Sequence, residues 1–327
     1  SRPRPPARDV RALAMPHMRG GKLLRVAFSL LCSGGAKDWK YRPQPVRCPG
    51  QSFEALPLES GCRLHAAGLP PDLAAAVKRL RTSLLEAEAG DAKPPIAEEC
   101  PLGSNVSATV SLALNRMRQM RGGSEGSESG LYNARAALGF CESAAGMWNS
   151  CASSQFNKCK FLQASRLFGL RPSSRLLDWG SGCGHALNVI FREFGTRGVG
   201  IDVSEGPLIW AQHKYGKNHL FCFGKAVPEL RDGSVDVILS NAAILHMPIP
   251  ERCSLLSEVV PRLLRPGGCA WFGEAFREEP TWLDSCTLPS DVFSTVTAMS
   301  ERTLFGRSSY RMNVTSLFLC LRAGATL

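Results

Sequence analysis

Asp178-Trp179-Gly180-Ser181-Gly182-Cys183-Gly184 sets a carboxylate just ahead of three glycines at alternate positions. The apolar pair Leu176-Leu177 precedes it, and an amphipathic stretch follows. A strand end, a glycine loop and a helix start in that order let a ligand touch bare backbone. Glycine reaches positive φ and has no Cβ to block a nucleoside. The helix start adds unpaired N–H groups and the positive end of a dipole. Asp178 makes the loop a better host for a cation than for a pyrophosphate. A Gly-x-Gly-x-x-Gly dinucleotide loop would also need a small residue at position 185, where His185 stands.

The elements that must carry this loop alternate between two periods. Strands are expected at 174–178, 198–202, 220–223, 235–240 and 268–274. Between them, 185–194 puts Leu187, Ile190, Phe191 and Phe194 on one helical face, and 207–215 forms a helix with Ser204 as its cap. A third helix over 251–264 carries a stripe of Leu255, Leu256, Val259, Val260, Leu263 and Leu264, and Pro261 should kink its last turn. Strand–helix alternation implies a mostly parallel sheet covered on both faces. The tail differs: 293–299 and 313–321 read as two strands around a turn region, 301–309, paired as an antiparallel hairpin. Upstream, 160–168 is helical. Pro70-Pro71-Asp72 opens a helix through 74–88 with Leu73, Val77, Leu80 and Leu84 on one face. Residues 107–120 could form another helix, between linker-like stretches at 89–104 and 121–130.

Four blocks in this order resemble the class I S-adenosylmethionine-dependent methyltransferases, closest to their small-molecule branch. They are Leu177 to Gly184, Gly200-Ile201-Asp202, Asp232 to Ser240, and Leu263-Leu264-Arg265-Pro266-Gly267-Gly268. The resemblance is strong over residues 175–274 and extends to 160–327. It implies an α/β fold with a Rossmann-like, doubly wound, seven-stranded, mostly parallel sheet and a C-terminal antiparallel hairpin. The implied cofactor is S-adenosyl-L-methionine. The family pattern assigns the loop of Gly180, Ser181, Gly182 and Gly184 to its methionine portion and Asp178 to its ammonium. Asp202 would take both ribose hydroxyls and Val203 the adenine edge. Asn241 would line the pocket beside the sulfonium methyl. The acid that usually meets the adenine amino group is replaced by Lys225, so contact is expected from the Ala226 backbone. Methyl transfer needs in-line placement and exclusion of water, with a base only for some nucleophiles. His246, which follows the fourth strand, and Glu274, which ends the fifth, are the candidate base and orienting acid. His185 reads as a helix-start residue touching cofactor or substrate, Cys183 as a tolerated small side chain, and Trp210, Trp271 and Trp282 as core or lid packing.

The net charge of +11 is unevenly spread: residues 1–50 hold eleven Lys or Arg against two acids, so the remainder is nearly neutral. A basic arm is weak ground for nucleic-acid binding. It reads instead as a targeting or disordered, poorly ordered extension, with a short apolar run at 26–32 after Arg19, Lys22 and Arg25. The location is cytoplasmic, or organellar or secretory if that arm is a targeting peptide. The thirteen cysteines form no CxxC pair and match no common zinc spacing, so no metal is expected and buried reduced thiols are the simplest reading. The sequons at Asn105 and Asn313 are close to chance for nine asparagines. No apolar run reaches the ~18 residues of a membrane span. The expected organisation is a basic segment, 1–70, a helical and linker region, 71–130, and a methyltransferase domain, 131–327. The acceptor expected is an unidentified small molecule. The alternatives are a protein or nucleic-acid acceptor docked through the arm, or a non-catalytic cofactor-fold protein. The oligomeric state stays open.

Overall fold

The computed structural model describes residues 53–56, 58, 63–88, 95–97, 136, 141–142, 151–276, 282–306 and 314–324. The expected helix over 107–120 and most of both linkers lie outside them, as does the basic arm. Among the described residues, seven strands form one sheet in the order β3-β2-β1-β4-β5-β7-β6. They are β1 (Leu176–Trp179), β2 (Gly198–Asp202), β3 (Leu220–Phe223), β4 (Val235–Asn241), β5 (Leu264–Phe276), β6 (Phe293–Ser300) and β7 (Thr315–Leu321). The first five run parallel, and β7 is antiparallel to both β5 and β6. The chain winds one way from β1 to β3 and the other way from β4, so the order reverses between β1 and β4. A crevice opens outside the carboxyl ends of strands at such a point.

Period-two alternation assigns the faces. Leu176, Val237, Leu239, Trp271, Phe318 and Cys320 pack on one side, with α1 (Pro71–Glu88) and α2 (Cys151–Phe168). That cluster includes Leu73, Leu80 and Leu84, so the amphipathic helix read at 74–88 buries its stripe on the sheet. Also on this side is α3 (His185–Phe194), with Leu187 and Ile190 in the same core. Leu177, Ile238, Phe272, Leu317 and Leu319 face the other side. α4 (Glu205–Tyr215) starts two residues earlier than expected, and Ser204 stands at its cap position without a side-chain cap bond.

The helix expected over 251–264 is not continuous. It forms as α5 (Ile249–Ser254), a π turn (Leu255–Val259) and α6 (Val260–Leu263). Pro261 has no N–H for the carbonyl of Ser257 and its ring crowds that oxygen, so the turn widens rather than merely kinking. The turn region after β6 contains a short helix, α7 (Glu301–Phe305), capped by the Ser300 hydroxyl, which accepts from the Arg302 N–H.

The expectation of reduced thiols is overturned. Cys141–Cys183, Cys253–Cys286 and Cys269–Cys320 are disulfides. The last joins directly paired residues of β5 and β7. Sequence spacing could not show this, because each pair is 33 to 51 residues apart and meets only through the fold.

Candidate functional site

The glycine loop joins β1 to α3 at the reversal point of the sheet. Its entry is fixed by the Gly180 and Ser181 N–H groups, which both donate to the Ile201 carbonyl on β2, at 2.8 and 2.9 Å. Gly180 has φ +75°, and a Cβ there would lie 2.2 Å from the Ala243 Cβ, so the turn after β4 closes directly on the loop. Gly182, at φ +50°, meets nothing within 4 Å on its Cβ side and faces open space. Gly184 caps α3.

Two acids flank this opening. Asp178 is 1% exposed, and its Oδ2 has no hydrogen-bond partner. Burial, reinforced by the Asp202 charge, pushes its carboxyl up to about 8. Asp202 is half-buried at the end of β2. Its Oδ2 accepts from the Gly182 N–H at 2.9 Å and its Oδ1 from the Ser204 N–H at 2.8 Å. Burial raises its pKa, and these N–H groups pull the other way. The Ser204 side chain and the Val203 N–H also hydrogen-bond this carboxylate. Val203, the next residue, is 71% exposed although apolar. It lies beside the 3₁₀ turn Gly224–Glu229, which contains Ala226.

The far side of the crevice is the end of β4. Ser240 Oγ and Asn241 Oδ1 are buried without partners, as is Ser181 Oγ on the loop. Ala242 takes φ +62° and Glu274 φ +52°, conformations that cost a residue other than glycine of order 1–3 kcal/mol. His246 is exposed in the turn Ile244–His246 that follows. Glu274 has its Oε1 2.5 Å from the Lys160 ammonium of α2, and both side chains are buried. Lys160 also pairs with Glu301 at 3.2 Å. The expected orienting acid is thus held in a buried ion pair. The pairing was illegible because Lys160 reads as an ordinary helix lysine. The available signal was its position four residues after Phe156 and four before Ala164, on the apolar stripe.

His185 also differs from expectation. Its ring is 3% exposed, Nδ1 is 2.8 Å from the Tyr215 hydroxyl and Nε2 is 2.8 Å from the Cys141 carbonyl oxygen. Both nitrogens therefore face protein groups, and neither is offered to a ligand. Cys183 is tied to Cys141, so this loop position holds a covalent anchor rather than a spare small side chain. Trp271 is fully buried in the core, and Trp282 stacks near Phe276 with the Arg252 guanidinium 5.1 Å from its ring centroid. Among the described residues no group of three His, Cys, Asp or Glu side chains could hold a metal ion, and no helix is long and apolar enough to cross a membrane.

The same region of the chain resembles known proteins. Residues 177–272 match the family model described as a methyltransferase domain. Over 126 residues the chain is 34% identical to a malonyl-[acyl-carrier protein] O-methyltransferase of Methylococcus capsulatus, a match covering 34% of this chain and 43% of that protein. The chain thus spans under half the length of that curated relative. Among solved structures, a SAM-dependent methyltransferase from Geobacter sulfurreducens in complex with S-adenosyl-L-homocysteine is 28% identical, over 35% of this chain and 47% of the other, with a TM-score of 0.30. The PH0226 protein of Pyrococcus horikoshii is 18% identical, over 54% and 92%, with a TM-score of 0.39.

Proposed function

We propose that this chain, which carries a class I S-adenosylmethionine-dependent methyltransferase domain, transfers the cofactor's methyl group to a small-molecule acceptor. The observation that carries this reading is Asp178 Oδ2, a buried carboxylate oxygen with no partner beside a glycine loop that opens onto empty space. An unpaired buried carboxyl is costly, and an arriving ammonium would satisfy it. Asp178 and the loop residues Gly180, Ser181, Gly182 and Gly184 would hold the amino-acid end of the cofactor. Asp202 would take the ribose, the exposed Val203 and the Ala226 backbone the adenine, and Asn241 the region of the methyl. When bound, S-adenosyl-L-methionine supplies an electrophilic methyl on a sulfonium, so no covalent enzyme intermediate is required.

The chain's own work is then placement and proton handling. Asp202, with Oδ2 on the Gly182 N–H, couples the ribose position to the loop that holds the methionine end. His246, exposed beyond β4, is the side chain assigned to accept a proton from the nucleophile. Glu274 acts from inside the wall through its ion pair rather than as a free acid. The curated relative's name gives malonyl-acyl-carrier protein as its acceptor, so carboxylates belong in the search beside amines and hydroxyls. Three disulfides among the described residues favour maturation in an oxidising compartment.

The test is an incubation of the protein with methyl-labelled cofactor and fractionated small-molecule extract, with malonyl-acyl-carrier protein as a separate arm. Label in one small compound, lost in Asp202→Ala, supports the reading. Label in protein or nucleic acid alone would replace it with a macromolecular acceptor, and none at all with a binding protein.

A further inference from the structure

Beneath the end of β4 lies a charged cluster that the cofactor contacts do not use. The Lys160 ammonium, fully buried, sits 2.5 Å from Glu274 Oε1 and 3.2 Å from Glu301 Oε1, both also buried. Glu301 Oε1 accepts the Glu274 N–H at 3.1 Å, a direction that the positive φ of Glu274 permits. Buried charges of this kind are usually no more stabilising than apolar groups of the same volume. Their position offers a reason for their presence. Asn241 Nδ2 is 3.1 Å from Asn157 Oδ1 and 3.5 Å from Glu274 Oε1. The group between two oxygen acceptors must be the amide nitrogen, so the cluster fixes which way the carboxamide points. Its Oδ1 is left buried and without a partner at the carboxyl end of β4. Ala242, the following residue, adopts φ +62°, and the Gly273 carbonyl accepts its N–H at 2.9 Å. This fastens the segment to β5.

We infer that Lys160 is a positioning residue of the transfer site: through Glu274 it orients the Asn241 carboxamide, whose Oδ1 receives a hydrogen-bond donor next to the transferring methyl. The inference rests on the cofactor assignment above and extends it to the acceptor, which must bring an N–H or O–H to that oxygen. A carboxylate acceptor has no such donor and is disfavoured by it.

Two cofactor analogues test this without a known acceptor. S-adenosyl-L-homocysteine carries a neutral thioether, and sinefungin carries an ammonium group at the methyl position. Calorimetry on the full chain should find sinefungin bound about ten- to a hundredfold more tightly, the range of a hydrogen bond to a charged group. Asn241→Leu should remove most of that preference. Lys160→Met should reduce it in the same direction and add little to Asn241→Leu in the double variant. A purely structural lysine would weaken both analogues alike and leave their ratio unchanged. If Lys160→Met does not fold, Lys160→Gln, which removes the charge and ends one atom short of the ammonium position, enters the same comparison. A ratio near one in the wild type, or unchanged in Asn241→Leu, overturns the role of Oδ1. A ratio lost in Asn241→Leu yet intact in the Lys160 variant overturns the role of Lys160. Failure of the folded wild type to bind either analogue would instead refute the cofactor assignment itself.

Discussion

Asp178 and Asp202 illustrate how one residue type serves two ends. Both were singled out as ligand acids through the resemblance of their sequence blocks to the methyltransferase pattern. What the sequence could not show is that Asp178 has an unpaired oxygen while Asp202 braces the loop through Gly182 and Ser204. The difference has a pH signature. The Asp178 carboxyl, pushed by burial up to about 8, keeps a proton in the folded chain that the unfolded chain releases near its ordinary value. Stability of the ligand-free protein therefore falls as pH rises between those limits. Asp178→Asn should flatten that slope in denaturant titrations across pH, and an unchanged slope would refute the assignment. An ammonium bound beside Asp178 favours its ionised form, so cofactor binding near neutral pH should release about one proton from the wild type. Calorimetry in two buffers of different ionisation heat should detect that release and find it missing in Asp178→Asn.

The elements were read better than their joints. The glycine loop, β2, β3 and α3 fall where periodicity put them, since each combines a strong pattern with a glycine or acid at its end. Joints set by tertiary contact were not visible, as the π turn before Pro261 shows. Another is Asp236 at the start of β4. Its buried carboxylate accepts from the Arg175 N–H at 2.7 Å and pairs with the guanidinium groups of Arg175 and Arg265. It stitches the entries of β1, β4 and β5. Burial alone would raise its pKa, but these partners overcome burial and hold it below the usual range. Its stabilising contribution is thus present above the usual carboxylate range and is lost as pH falls through the depressed value. Asp236→Asn should cost about 3 kcal/mol in chemical denaturation, because it leaves partly buried guanidinium groups unpaired. A loss under about 0.5 kcal/mol, the range of ordinary surface substitutions, would show the stitch to be idle.

For the whole molecule, the alternation of strands and helices implied a mostly parallel sheet covered on both faces, while the strand order and its reversal between β1 and β4 emerge only in the fold. The alternation said nothing of the cross-links. Cys253–Cys286 ties α5 to residues 282–292, whose Leu283, Leu288 and Val292 pack against the same core as Leu255. Replacing both cysteines by serine should lower stability by about 2–4 kcal/mol in the absence of reductant. The difference should vanish when both proteins are fully reduced; a difference that persists would mean that packing, not the bond, holds these segments. A sulfonium nucleoside held in the crevice between the glycine loop and β4, and gripped through Asp202, can be sought by titrating the folded protein with S-adenosyl-L-methionine. Saturable binding at one site is expected, weakened by about 1.5–3 kcal/mol in Asp202→Ala. Equal affinity in the wild type and a well-folded Asp202→Ala would rule that grip out.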